Sequence, residues 1–212
     1  MAFDYKKEYP EFYLPPRTPR IVDVPSMKFV AVHGGGDPNE EDGCYKQAMG
    51  LLYGIAFTLK MSPRAGHAIK GYFEYTVPPL EGFWWMPGDT PMDYARKCDL
   101  QWISAIRLPR FVDEEDFAWA VAEAARKKKL DFSSVEFLPM HEGMCVQCMH
   151  IGPYDDEPAT VAAMDSFARA EGYEPDFSDT RHHHEIYLSD ARRCDPARLK
   201  TVIRHPIRMA DD

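Results

Sequence analysis

The 212 residues carry 34 acidic against 25 basic side chains, a formal net charge of −9 at pH 7, and 45% hydrophobic residues. Such a chain can bury one generous core or two small ones, and its acidic, interspersed charge excludes a surface built to neutralise nucleic-acid phosphates. No apolar run is long enough to span a bilayer, and the opening M-A-F-D-Y-K-K-E-Y-P lacks a signal-peptide core, so a cytoplasmic setting without membrane contact is expected.

Residues 1–25 hold Pro10, Pro15, Pro16, Pro19 and Pro25 and predict an extended arm lying on the surface. From Ser26, S-M-K-F-V-A-V-H predicts a strand that ends in the turn Gly34 to Pro38. No G-K-[ST] follows the three glycines, which argues for a backbone turn over a phosphate cradle. Asp42 is the expected cap of a helix over 43–60, whose stripe Tyr45, Met49, Leu52, Ala56 and Leu59 recurs at helical spacing. Two strand pieces, Gly71 to Val77 and Leu80 to Trp85, are split by Pro78-Pro79; a loop over Met86 to Tyr94 and a strand over Leu100 to Leu108 follow.

An amphipathic helix is predicted over Asp113 to Lys129, with acidic residues in its first turn and lysines in its last, as the helix dipole favours. Strands then follow over Ser134 to Pro139 and Met144 to Ile151, a helix from about Glu157 to Glu171 stopped by Gly172, and strands over His182 to Leu188 and Thr201 to Ile207. The order strand, helix, strand, strand thus occurs twice. This predicts one α+β domain over 26–212, with repeat one at about 26–109, the connecting helix at 113–129 and repeat two at about 133–208. The repeats would pair about a pseudo-twofold axis, with antiparallel sheets, helices on one side and a ligand cleft on the other.

The stretch T-R-H-H-H-E-I-Y-L-S-D-A-R-R at 180–193 carries the chemistry. At strand period His183, Glu185 and Tyr187 share one face, while His182, His184, Ile186 and Leu188 share the other. A carboxylate in mid-strand needs a reason: a solvated face and a structural ion pair are the plain ones, a ligand cleft the functional one. Five cysteines with no framework spacing fit reduced thiols, and C-V-Q-C at 145–148 on a strand points its sulfurs to opposite sides. Neither that pair nor the His182 to His184 run is expected to bind metal, and no cofactor is expected. No Ser, Cys or Thr nucleophile stands in a recognisable elbow, which disfavours covalent catalysis.

Four segments together resemble the GyrI-like small-molecule-binding family: P-P-L-E-G-F-W-W at 78–85, M-H-I-G-P-Y-D-D-E-P at 149–158, H-H-E-I-Y-L-S-D at 183–190 and K-T-V-I-R-H-P-I at 200–207. They spread over most of the chain from about 27 to 208. The resemblance implies two repeats around a ligand cleft, in a family that includes sensors fused to DNA-binding helices, free-standing gyrase inhibitors and free-standing hydrolases of cyclopropanoid, DNA-alkylating natural products. This chain is expected to have no room for a fused DNA-binding domain, and P-L-E-G-F-W-W with the long arm looks more like the hydrolase-type branch.

By position, Glu185 matches the family's cleft carboxylate. It would orient or deprotonate water, with Tyr187 or Tyr154 stabilising the developing phenolate. Trp102, Phe83, Trp85 and Tyr75 are the expected flat walls, His183 a polar wall residue, and Glu81 either a second polar group at the rim or a structural cap. Trp84 and Trp85 cannot both face the cleft. The expected partners are planar aromatic or cationic small molecules, either hydrolysed or merely sequestered. A gyrase-inhibiting role has no marked partner surface in the sequence.

Overall fold

The computed structural model describes residues 2–88, 92–93 and 95–210. Among these the predicted runs become a mixed α+β fold: α1 (Tyr5–Glu8), α2 (Pro10–Tyr13), β1 (Arg20–Val24), β2 (Met27–Gly35), α3 (Cys44–Lys60), β3 (Leu80–Trp85), β4 (Gln101–Arg107), α4 (Glu114–Lys128), β5 (Val135–Met140), β6 (Gly143–Ile151), α5 (Glu157–Ala170), β7 (Tyr173–Pro175), β8 (His183–Tyr187) and β9 (Lys200–Met209). Part of the loop expected over Met86 to Tyr94 lies outside the described residues. No described helix is long and apolar enough to cross a membrane.

The chain forms two compact units that are not contiguous in sequence. The first holds the residues up to Tyr5, Met27–Pro78 and Met86–Met140; the second holds Lys6–Ser26, Pro79–Trp85 and the chain from His141 onward. Thus β3 pairs with β8 in the second unit, while β5 pairs with β2 in the first.

In the first unit the antiparallel order is β4-β2-β5. Helix α3 packs on β2 and β4, and α4 packs on α3. The buried stripe of α3 runs Tyr45, Ala48, Leu52, Ile55, Ala56 and Leu59, passing through Ala48 and leaving Met49 at the flank. Asp42 is not its cap: that residue takes a left-handed backbone, φ 60°, and Gly43 occupies the N-cap position. Asp113 does cap α4, accepting from the Asp116 amide. The glycine turn also makes room. A Cβ on Gly34 would sit 2.3 Å from the Trp102 ring, which lies edge-on to Tyr45.

Two expectations fail locally. Gly71 to Val77 is not a strand: Tyr75 makes one isolated bridge to Phe3, and Tyr72, Phe73 and Tyr75 pack their rings around Phe111. Side-chain clustering there outweighs the β preference of single residues. Nor is the arm an extended surface strip. Tyr5, Phe12 and Tyr13 are buried, α1 and α2 are short helical turns, and β1 pairs antiparallel with β6, because those rings hide more apolar surface folded in than laid on the outside.

In the second unit the antiparallel order is β1-β6-β9-β8-β3, with β7 on the last residues of β9. Helix α5 covers one face, where Met164 and Ala168 pack on Val146, Cys148, Ile203 and Ile207. The opposite face carries a buried polar network. Arg204 donates to Gln147 Oε1 at 3.0 and 2.9 Å, to Glu142 Oε2 at 2.8 Å and to the Phe12 carbonyl at 3.0 Å. His184 donates through Nδ1 to Glu142 Oε1 at 2.9 Å and through Nε2 to Glu81 Oε2 at 3.0 Å, its ring stacked on Phe83. Two carboxylates thus face one guanidinium and one imidazolium.

Burial pushes the Glu142 carboxyl up, but His184 and Arg204 overcome this and hold it at about 2. Burial likewise pulls His184 down, and Glu142 first, then Glu81, raises it above 6.5. The depressed acid contributes stability above about 4.5 that is lost as pH falls toward 2; the raised imidazole contributes stability below 6.5 that is lost as pH rises through its folded value. Removing one partner of a buried pair costs about 3–5 kcal/mol. Glu142→Gln should therefore lose stability of that order in urea unfolding, with the difference from wild type largest between about pH 4.5 and 6.5 and shrinking toward pH 2. A deficit that does not vary with pH would contradict the pairing.

Candidate functional site

Strand alternation sends His183, Glu185 and Tyr187 to the face that α5 covers. From β3, Gly82 lies opposite Glu185 and Trp84 opposite His183 in the register, so Trp84 shares this face, while Glu81, Phe83 and Trp85 point to the other. From β9, His205 lies on the same face as His183, and the two rings meet with Nδ1 of His183 2.7 Å from Nε2 of His205. The turn Gly152 to Asp156 swings the chain off β6 into α5. His150 fastens it, with Nδ1 2.8 Å from Thr160 Oγ1 and Nε2 3.0 Å from the Pro153 carbonyl. That turn delivers Tyr154 and Glu157.

The geometry centres on Glu185. His183 Nε2 lies 3.0 Å from Glu185 Oε1 and 3.9 Å from Glu157 Oε2. Glu157, the first residue of α5, is fully buried, and neither of its carboxyl oxygens has a hydrogen-bond donor. Burial, then the neighbouring Glu185 carboxyl that shares a hydrogen bond with it, raises the Glu157 carboxyl well above the ordinary range. Glu157 is therefore the member of the pair that holds a proton more readily than an ordinary carboxylate. Glu185 is the outer member of the pair, its side chain 12% exposed where that of Glu157 is 0%.

Aromatic groups share the strand face of the acid. The Trp84 indole N–H donates to the Tyr187 hydroxyl at 3.0 Å, and the Tyr154 and Tyr187 rings meet edge to face at 5.8 Å. Burial, then Glu185 and Glu157, pushes the Tyr154 phenol up to about 12, so it stays an O–H donor. Gly82 makes this possible: a Cβ there would lie 2.5 Å from the Trp84 indole nitrogen and 2.8 Å from the Tyr187 hydroxyl. The structure thus gathers Glu185, Tyr187, Tyr154 and His183.

It places the other named residues elsewhere. Phe83 stacks on His184 at 4.0 Å and Trp85 on His182 at 4.2 Å, both on the opposite face. Glu81 is 1% exposed and belongs to the network behind β8, as a structural anion and not a rim group. Trp102 and Tyr75 are each buried in the first unit, against Tyr45 and Phe111 respectively. Trp84, Glu157, His205 and Asp165 were not singled out. Glu157 stands in the quoted D-D-E-P and His205 in the quoted K-T-V-I-R-H-P-I, strand parity left Trp84 and Trp85 as alternatives, and nothing local marks Asp165.

Of the three consecutive histidines only His183 joins this group. Glu157, His183 and Glu185 each bring one donor atom within 4.8 Å of the others, a grouping able to hold a cation as well as protons. Cys145 and Cys148 are buried free thiols pushed up to about 12 and 11 by burial. An open depression of about 670 Å³ lies further along, lined by Leu188, Asp190, Arg193, Cys194, Arg198 and Lys200 among others; its mixed charge and lack of aromatic walls set it apart from the Glu185 setting.

Comparison with known proteins agrees with this architecture. Three solved structures from Listeria innocua each cover 98% of this chain and 100% of their own: an uncharacterized conserved protein at 44% identity with a TM-score of 0.91, a hydrolase at 42% with 0.88, and a hydrolase encoded by lin2189 at 43% with 0.88. No curated protein matches. The family model of the GyrI-like small molecule binding domain matches residues 17–208, nearly the whole chain, and the protein belongs to that family.

Proposed function

We propose that this protein is a free-standing hydrolase of flat, strained electrophiles of the cyclopropanoid class, acting through Glu185. The observation that carries this reading is the setting of that acid: a carboxyl backed by His183 and Glu157, on the strand face it shares with Trp84 and Tyr187 and near enough to Tyr154 to raise that phenol. Two similar structures described as hydrolases support the reaction type. The aromatic rings offer flat faces to a planar ligand.

In the reaction, a water oxygen forms a bond to the strained methylene carbon as the ring carbon–carbon bond breaks. The released electron pair moves through the dienone onto its carbonyl oxygen. Glu185 accepts the proton that the water loses, because Glu157 holds the proton shared within the pair. The Tyr154 and Tyr187 hydroxyls are the available donors to a developing phenolate. No covalent enzyme intermediate is needed.

Sequestration of planar cations is the second reading, favoured by the formal charge of −9 and by an acid among aromatic rings. Incubation with a spirocyclopropyl cyclohexadienone, followed by mass spectrometry, separates the two. Hydrolysis predicts a product heavier by one water, and Glu185→Gln should slow its formation by about 100-fold or more while tryptophan quenching by the same compound persists. Saturable quenching with no product would leave the sequestrant. Gly82→Ala should weaken quenching about tenfold, close to 1.4 kcal/mol, because the new Cβ parts Trp84 from Tyr187; an unchanged affinity would remove those two rings from the ligand's path.

A further inference from the structure

The histidine behind Glu185 is one member of a longer line. Glu185 Oε1 lies 3.0 Å from His183 Nε2, His183 Nδ1 lies 2.7 Å from His205 Nε2, and His205 Nδ1 lies 3.5 Å from Asp165 Oδ1. With both rings neutral and their hydrogens on Nδ1, His183 donates to His205 Nε2, the His205 Nδ1–H points toward Asp165, and His183 Nε2 faces Glu185 as an acceptor. His205 Nδ1 has no hydrogen-bond partner within ordinary distance, which leaves the Asp165 end the loosest link. Exposure grades along the line: the Asp165 side chain is 28% exposed, and those of His205 and His183 are 6% and 5%.

The charged and titratable groups facing the line are Glu157 and Asp165 with Arg169 from α5, Glu185 from β8, and Asp155 from the turn before α5; Phe177 sets its ring edge-on to His205. Burial, then the His183 charge, holds His205 down at about 4 against the pull of Asp165, and His205 holds Asp165 below its ordinary value. Both directions fit a neutral ring donating to an ionised carboxylate at the outer end.

We propose that His183, His205 and Asp165 form a proton exit from Glu185 to solvent. This rests on the hydrolase reading. Water gives its proton to Glu185 at the methylene end of the substrate, whereas the oxygen that gains a proton lies across the dienone ring. A flat ligand over Glu185 closes its small opening, so the proton leaves inward. Glu185 passes one proton to His183 Nε2, His183 passes its Nδ1 proton to His205 Nε2, and His205 passes its Nδ1 proton to Asp165 and water. The phenolate oxygen takes one proton from solvent, and the cycle is neutral. His183, His205 and Asp165 are positioning residues in this scheme, since only Glu185 meets the water.

The test uses the full chain, its Asp165→Asn variant and its His205→Gln variant. Histidine ring ¹⁵N spectra against pH come first, because they need no substrate. His183 and His205 should titrate as one coupled unit in the wild type, and both sets of signals should move in Asp165→Asn; rings that titrate independently overturn the line. One equivalent of bound divalent metal in the purified wild type, measured by elemental analysis, overturns it too, since a cation would then sit where the protons are placed. With a spirocyclopropyl cyclohexadienone, Asp165→Asn should lower kcat about tenfold, leave KM unchanged, shift the pH profile, and recover with added imidazole. Loss of kcat without rescue or pH shift overturns the exit. A wild type that never turns the compound over sinks the hydrolase reading, and the spectra still decide whether the coupled line exists.

Discussion

Strand β8 is five residues long and buried, and it carries ionisable side chains on both faces. Taking a charge out of water costs several kcal/mol unless a partner replaces the lost hydration, so this strand folds only where each face finds its counter-groups. On one face the answer is complete. His184 sits between two carboxylates, one of which is held by Arg204, and the guanidinium reaches Gln147 on β6, the turn at Glu142 and the carbonyl of Phe12 in the arm. A buried ion network is seldom more stable than apolar packing of the same volume. What it supplies here is register. A slip of β8 by one residue would exchange its faces and leave His184 without either acid.

The other face is answered incompletely, and the difference marks where chemistry belongs. Glu157 has two buried oxygens without donors and resolves this by keeping a proton against Glu185. Glu185 then has His183 and Glu157 behind it and its small exposed fraction ahead. A structural acid such as Glu81 ends with its oxygens matched to donors, His184 and Tyr13. Native structures tolerate few unmatched buried polar atoms, and a cluster of them beside a partly exposed acid is a stronger sign of function than the acid alone.

Much of this was legible in sequence. The two-residue period of H-H-E-I-Y placed Glu185 with His183 and Tyr187, and capping and dipole signals placed α4 and the stop of α5. What stayed hidden depends on contacts between distant segments. Trp84 and Trp85 were alternatives until the pairing of β3 with β8 set Trp84 opposite His183. Glu157 read only as the start of a helix, because it is the packing of α5 on the sheet that brings it to Glu185. His205 stood in a plain last strand, and its ring matters through its cross-strand neighbour. Pro-rich residues 1–25 suggested an arm on the surface, but the burial of Phe12 and Tyr13 and the tie from Arg204 are tertiary facts.

The proton held by Glu157 also bears on what kind of ligand suits Glu185. With Glu157 raised by burial and by its neighbour, the two acids together carry less negative charge than two ionised carboxylates would. A ligand in front therefore meets a weaker field than two open carboxylates would set up. A planar cation gains correspondingly less from such a site, whereas a neutral flat electrophile loses nothing by entering it. The net acidity of the chain then acts at long range and is screened by salt, while the local proton on Glu157 decides what the acid will hold. On that argument the overall charge, which drew attention to cations, is a poorer guide to the ligand than the proton behind Glu185.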